Sequence, residues 1–86
     1  MHKTINRYVV PFTGPKTFTL TSAPRAVANT QREDGLEFWA EDDPNRAEYE
    51  VTLEVFGTGN SVPEGAIYIG TAPRTSLGLV FHLYEI

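Results

Sequence analysis

Apolar and polar residues alternate along most of the chain, most clearly in the segment EYEVTLEVF at 48–56. Every second residue of this segment is apolar, namely Tyr49, Val51, Leu53 and Val55. In an extended chain successive side chains point to opposite faces, so this spacing gives one apolar and one polar face. A helix would scatter the same residues around its circumference. The segment is therefore predicted to be a β-strand that is buried on one side.

Six further segments have the same extended character and are separated by glycine, proline, aspartate and asparagine. They are residues 4–10, 16–22, 25–33, 36–41, 65–72 and 78–86. In the second of them Phe18 and Leu20 are predicted to face inward. The pattern indicates a single all-β domain over residues 1–86 with little or no helix. Its expected architecture is a small antiparallel β-sandwich or partly open barrel of about six to seven short strands.

The dipeptide Asp34-Gly35 lies between two of the predicted strands. Asp-Gly between two extended runs is typical of a tight β-hairpin, because both central residues of such a turn take positive φ. We therefore expect a hairpin whose turn is formed by Asp34 and Gly35.

Two predicted strands carry large apolar residues on both faces. Trp39 lies on the opposite face from Leu36 and Phe38, and in the last strand Phe81 and Tyr84 lie on opposite faces. A large aromatic residue on the second face belongs either to another layer of core or to an interface with another subunit. Trp39, Tyr84 and Phe81 are therefore candidate interface residues.

The size of the chain makes its stability marginal and favours self-association. A chain of 86 residues buries only about 60–65% of the surface that its unfolded form exposes. Small domains compensate with disulfides, a metal or a partner subunit. The chain has no cysteine and only two histidines, so a disulfide is excluded and neither a metal site nor a cofactor is expected. The chain is therefore expected to gain stability by forming a homodimer or higher oligomer.

The net charge is −4, and the charged residues are unevenly distributed along the chain. Residues 1–32 carry five of the seven cations and no acid, whereas residues 33–86 carry all eleven acids. The charges are read either as solvated strand faces or as complementarity between two ends or two subunits. Five dispersed cations do not form the concentrated basic face that nucleic-acid binding needs. With no long apolar run and no signal peptide, a cytoplasmic protein without membrane association is expected.

The loop VFGTGNSVPEG at 55–65 contains the glycine pair Gly57 and Gly59. A dinucleotide fingerprint would need a third glycine and a following helix, and a P-loop would need Gly-Lys-Ser/Thr; both are missing. Two interpretations remain: a simple connector between strands, or a loop whose successive amides bind an anion. The second makes Gly57, Thr58, Gly59 and Asn60 candidate ligand-binding residues, with Arg74 completing the pocket.

His82 lies within the last predicted strand. It is either a packed or interface histidine that is hydrogen-bonded to backbone, a ligand contact, or a general base with Ser61 or a water as nucleophile. No nucleophile elbow and no histidine–aspartate arrangement accompanies it. His82 joins the candidate ligand-binding residues, no catalytic residue is assigned, and a non-enzymatic protein is expected.

Several short motifs follow one another in an order that resembles a known family. They are KTINRYVV at 3–10, RAVANTQREDG after Pro24, Trp39-Ala40, Asp43-Pro44-Asn45, VFGTGNSVPEGAIYIGTA at 55–72 and LVFHLYE at 79–85. Over nearly its whole length the chain resembles a family of short proteins, found mostly in bacteriophages of actinobacteria and other bacteria. That family is known only as a domain of unknown function.

The resemblance implies a phage-encoded small β protein that acts in the host cytoplasm and has no assigned activity. Gly57, Gly59, Gly70 and His82 match the family pattern. Many relatives place a histidine directly after the glycine pair, where this chain has Asn60. That departure counts against a metal or proton-transfer site shared with His82, and favours a structural turn or a polar ligand contact.

The residues and the resemblance together favour a phage accessory protein that acts as a binding module. Its partner would be a host protein or a small anionic ligand such as a nucleotide. One alternative is a structural protein of the virion or tail. A second alternative is a small hydrolase that uses His82. The β-sandwich itself does not distinguish among these, because such folds host unrelated functions.

Overall fold

The computed structural model describes residues 2–31 and 34–86, and within these ranges it contains seven β-strands and no helix. The strands are β1 (Thr4–Pro11), β2 (Lys16–Leu20), β3 (Ala26–Asn29), β4 (Gly35–Asp42), β5 (Tyr49–Gly57), β6 (Ile67–Thr71) and β7 (Phe81–Glu85). All of their pairings are antiparallel. The predicted all-β fold of about six to seven short strands is confirmed.

The strands form two separate sheets that do not close into a barrel. One sheet has the order β1-β4-β3 and the other has the order β2-β5-β7-β6. Of the two predicted architectures, the protein adopts the sandwich. Because β5 and β6 both pair antiparallel with β7, they run parallel to each other on its two sides. The connection between them, residues 58–66, therefore returns along the length of β7.

The core lies between the two sheets and receives side chains from both. The largest fully buried side chains are those of Val10, Leu36, Phe38, Leu53 and Leu83. Because alternate residues of a strand share one face, each sheet supplies an apolar ladder to the interior. Burial of these side chains stabilises the fold by about 1.5–3 kcal/mol each.

Three aromatic rings join the sheets at one point of the core. The ring of Tyr8 in β1 stacks on that of Phe38 in β4 with centroids 4.9 Å apart. Phe18 in β2 meets Phe38 edge-on from the opposite sheet at 5.2 Å. Phe18 and its neighbour Leu20 are both buried, which confirms their predicted inward orientation.

The β3–β4 hairpin is present, but its turn differs from the predicted one. Gly35 is the first residue of β4 and pairs with Pro11, and neither Asp34 nor Gly35 has positive φ. The prediction of a two-residue turn at these positions is therefore wrong. Glycine is needed at 35 for another reason: a Cβ atom there would overlap the carbonyl oxygen of Val10 in β1.

Several predicted strands extend beyond the observed ones, those at 16–22 and 65–72 by a few residues and those at 25–33 and 78–86 by more. The strand predicted at 25–33 ends at Asn29, and its residues 32 and 33 lie outside the described residues. The strand predicted at 78–86 begins only at Phe81. Residues before it form a closed turn, in which the amide of Thr75 donates to the carbonyl of Leu79 at 2.8 Å. This turn removes Gly78 and Leu79 from the strand.

Candidate functional site

Several connections between strands meet at one end of the sandwich, which we call the loop end: residues 12–15, 58–60 and 72–80, together with Asp34. The amide of Phe12 donates to the carbonyl of Asp34 at 3.3 Å, and that of Thr58 donates to the carbonyl of Val80 at 3.1 Å. These bonds tie the connections to one another. Loops held on a rigid sandwich are a common place for a binding site.

A cavity of about 440 Å³, the first cavity, opens at the loop end. One part of its wall is polar and contains Thr58, Asn60 and Arg74, with Gly57 beside them. Another part is apolar and contains Leu79, Val80 and Phe81. The volume lies in the range of about 300–1,000 Å³ found for small-molecule sites. The arrangement offers hydrogen-bond donors and one positive charge opposite an apolar surface.

Four of the six residues that the sequence singled out as ligand contacts line this cavity: Gly57, Thr58, Asn60 and Arg74. Gly59 belongs to the same turn and is not part of the lining. His82 reaches the cavity through a hydrogen bond to Thr58. The fold thus brings together a loop and an arginine that are separated by thirteen residues of sequence.

The glycine pair forms a tight turn. The amide of Asn60 donates to the carbonyl of Gly57 at 3.0 Å, and Gly59 has φ of +93°. Positive φ at the third residue is what a type II turn requires, and glycine adopts it without strain. The amides of Thr58 and Asn60 are both bonded within the protein. A ligand in the cavity would therefore be held by the side chains of Thr58, Asn60 and Arg74.

Arg74 is positioned by its own loop. Its Nη1 atom donates to the carbonyl oxygen of Gly78 at 2.8 Å, which holds the guanidinium against the 74–78 turn. A guanidinium has five N–H donors, so others remain to meet a carboxylate or phosphate. Among the described residues that line this cavity, Arg74 alone is ionisable. This part of the wall therefore carries a positive charge although the whole chain has a net charge of −4.

His82 is the centre of a chain of hydrogen bonds on the outer face of the four-stranded sheet. Its Nε2 lies 2.8 Å from the Thr58 hydroxyl, and its Nδ1 lies 2.8 Å from the Thr71 hydroxyl. The Thr71 hydroxyl in turn lies 2.6 Å from the Tyr68 hydroxyl. At its other end, Thr58 donates to the carbonyl of Val80 at 3.3 Å. The chain runs from the edge strand β6 to the cavity wall.

For a neutral imidazole, only one direction of proton donation satisfies all four hydrogen bonds. Tyr68 donates to Thr71, which donates to Nδ1 of His82; the Nε2 proton goes to Thr58, which donates to Val80. A hydroxyl has one proton, so the reverse direction leaves the bond from Thr58 to Val80 unmade. In this arrangement Nε2 is a donor and does not accept a proton from Thr58. The network favours a positioning role for His82 over that of a general base.

The three candidate interface residues lie on three different surfaces. Phe81 lies at the loop end, where its ring contacts that of Phe12 at a centroid distance of 4.5 Å. Trp39 is half-buried on the outer face of the three-stranded sheet, opposite the side of Leu36 and Phe38. Tyr84 lies on the outer face of the other sheet. A single interface cannot contain all three.

Sequence reasoning missed Thr71 and Tyr68, which support His82, and the exposed apolar residues Leu77 and Leu79. No local signal marks Thr71, because its contact with His82 depends on how β6 pairs with β7. The two leucines did have a signal, since they are apolar residues inside a turn that contains proline and glycine. Exposed apolar residues in such a place are typical of interaction sites.

Within residues 2–31 and 34–86, no three histidine, aspartate or glutamate side chains lie close enough to hold a metal ion. The same residues include no helix that is long and apolar enough to cross a membrane.

Comparison with known proteins gives one match. A family model described as "Domain of unknown function (DUF7352)" matches residues 1–86. No curated protein and no solved structure matches the chain.

Proposed function

The chain belongs to the DUF7352 family, whose description names no activity, and on that premise we propose from the geometry of the loop end that the protein is a non-enzymatic binding module for a small organic anion. The observation that carries the proposal is the first cavity. It brings the side chains of Thr58, Asn60 and Arg74 to face the apolar wall of Leu79, Val80 and Phe81.

The two parts of the wall specify the chemistry of the ligand. Arg74 favours a phosphate or carboxylate, because a guanidinium forms short charge-assisted hydrogen bonds to either group. Asn60 and Thr58 add neutral hydrogen bonds, and the ring of Phe81 with Leu79 suits an apolar or planar group. A ligand that carries both parts, such as a nucleoside monophosphate, would use the whole cavity. Inorganic phosphate or a nucleoside alone would use half of it.

The proposal is tested by NMR titration of the ¹⁵N-labelled protein with three probes: AMP, inorganic phosphate and adenosine. We expect AMP to shift the amide signals of residues 57–60 and 74–81 in a saturable manner. Phosphate and adenosine should bind more weakly, because each lacks one half of the complementary chemistry. Loss of a charge-assisted hydrogen bond costs about 1.5–3 kcal/mol, so Arg74→Gln should weaken AMP binding by about tenfold or more.

A matched control is provided by Arg46→Gln, which removes an arginine outside the loop end. This variant should bind AMP like the parent protein. Saturable AMP shifts at other residues, equal affinity in Arg74→Gln, or the absence of saturable shifts with all three probes would each overturn the proposal.

The resemblance to phage proteins extends the proposal to a biological setting: an accessory protein that binds its ligand in the cytoplasm of an infected bacterium. Mass spectrometry of purified phage particles tests this part. Absence of the chain from particles, with its presence in infected cells, supports an accessory role. Its presence in stoichiometric amounts in particles would instead favour a structural role.

A further inference from the structure

Three exposed apolar side chains lie together at the loop end. Leu77 is 84% exposed, Leu79 is 50% exposed and Phe12 is 42% exposed. The ring of Phe12 contacts that of Phe81, which links the connection between β1 and β2 to the start of β7. We call these four residues the apolar ridge. Contiguous apolar surface of this kind on a small domain is characteristic of an interaction site.

A second cavity, also of about 440 Å³, lies on the other side of this ridge. Leu79 and Phe81 line both cavities and form a common wall between them, whereas Phe12 and Leu77 line the second cavity only. Among the lining residues that the structure describes, the charges on the two sides are opposite. Arg74 lines the first cavity, and Asp34 is the ionisable group among the described residues that line the second.

From this arrangement we propose that the loop end binds a second copy of the chain, in a pair related by a twofold axis through the apolar ridge. A twofold interface places the same patch of both subunits face to face, so the patch must complement itself. Rotation about the ridge places Arg74 opposite the partner's Asp34 and Asp34 opposite the partner's Arg74. The two apolar ridges meet between these pairs, with each exposed Leu77 directed at the partner's surface.

Charge complementarity favours a second copy of the chain over an unrelated protein as the partner that binds the loop end. An apolar centre with one positive and one negative flank matches its own rotated image in both charge and polarity. The resulting interface has an apolar centre and a charged rim, which is the usual anatomy of a protein–protein interface. A chain of 86 residues without cysteine also gains stability from such a pairing.

The outer face around Trp39 is a weaker candidate for the same role. Its charges are already paired within the chain, because Arg25 contacts Glu41 at 3.4 Å and Arg7 contacts Glu37. A partner at that face would find the cations and acids already neutralised. At the loop end, by contrast, Arg74 donates to the backbone carbonyl of Gly78, and within residues 2–31 and 34–86 it forms no salt bridge with a carboxylate.

Sedimentation velocity over a wide range of protein concentrations tests the pairing, with the charges exchanged one at a time and together. The parent protein should form dimers. Arg74→Asp and Asp34→Arg should each weaken dimerisation by about tenfold or more, because each places like charges opposite one another at two symmetric positions. The double variant, which carries both Arg74→Asp and Asp34→Arg, should dimerise nearly as tightly as the parent protein. It again places opposite charges across the interface, with the signs reversed.

An apolar variant and its control test the ridge independently. Leu77→Asp should abolish dimers, whereas Ile67→Asp, which changes a 58% exposed isoleucine in β6, should leave them intact. Circular dichroism checks that each variant is folded. A parent protein that stays monomeric at NMR concentrations, dimers that survive Leu77→Asp, or a double charge exchange without recovery would each overturn the inference.

The proposed function is tested separately from the pairing. Leu77 does not line the first cavity, so Leu77→Asp should still bind AMP as a monomer. Loss of dimers with retained AMP binding is therefore the expected result for this variant. Failure of AMP to bind to the monomeric Leu77→Asp variant, in which no partner covers the first cavity, would overturn the ligand proposal alone.

Discussion

Nε2 of His82 lies 2.8 Å from the hydroxyl oxygen of Thr58, and this bond joins the sheet to the wall of the first cavity. On its other side His82 is bonded to Thr71, which is not part of the cavity. The two threonines therefore support the same imidazole, but only one of them also faces the space where a ligand would bind. Both threonines are therefore expected to contribute to stability, whereas only Thr58 is expected to contribute to ligand binding as well.

Thr58→Val and Thr71→Val should destabilise the protein by similar amounts and differ in binding. Each substitution removes the hydrogen bond to His82 and one further bond, to Val80 for Thr58 and to Tyr68 for Thr71, and each lost bond costs about 0.5–1.5 kcal/mol. Only Thr58→Val also removes a polar group from the cavity wall, so it alone should weaken AMP binding appreciably. Urea unfolding and the NMR titration measure the two effects. Equal loss of AMP affinity in both variants would show that the threonines act only through the fold.

Gly35→Ala should be strongly destabilising, because its Cβ would overlap the carbonyl oxygen of Val10 on the neighbouring strand. The obstacle is backbone, so β1 and β4 must move apart, and overpacking of this kind costs about 1–3 kcal/mol. Gly57→Ala is the matched control: its Cβ would meet the flexible Asn60 side chain at 3.4 Å. Urea denaturation should show a clear loss for the first variant and little change for the second. Equal stability of the two would contradict the proposed close approach.

The strands were predictable because alternation along the chain directly reflects which side chains are buried. Phe18, Leu20, Leu36 and Phe38 are all buried as their spacing predicts. The role of Gly35 was not predictable in the same way. Asp-Gly is a local signal for a turn, but the glycine is required by the approach of a strand about twenty-five residues earlier. Long-range packing therefore explains a residue that local turn chemistry explained wrongly.

The same substitution at two leucines should distinguish the core from the ridge. Leu53→Ala removes a fully buried side chain between the sheets and should cost about 2–5 kcal/mol of unfolding free energy. Leu77→Ala changes a side chain that is 84% exposed and should alter the stability of the monomer by about 0.5 kcal/mol or less. It should nevertheless weaken the proposed dimer. Chemical denaturation at low protein concentration, followed by sedimentation, measures both effects.

The candidate site was predictable in part. The glycine pair and the polar residues after it are contiguous, so Gly57, Thr58 and Asn60 were found from one short motif. Arg74 could be added because an arginine in a nearby loop suits an anion pocket. The support of His82 by Thr71 was not accessible, because an irregularity between Tyr68 and Gly70 shifts the pairing of β6 with β7. Strand register decides that contact, and local sequence does not encode it.

The ligand and the second copy should compete, since both proposals use Arg74. Thermodynamic linkage requires that each weakens the other by the same factor. We expect saturating AMP to raise the dissociation constant of the dimer by about tenfold, within the usual range of such coupling. Dilution of the protein should strengthen the apparent affinity for AMP correspondingly. Sedimentation with AMP, and with adenosine as a control that lacks the anion, measures the first effect; titrations at two protein concentrations measure the second. If AMP binds and the protein pairs, but neither affects the other, the two events use different groups and Arg74 belongs to only one of them.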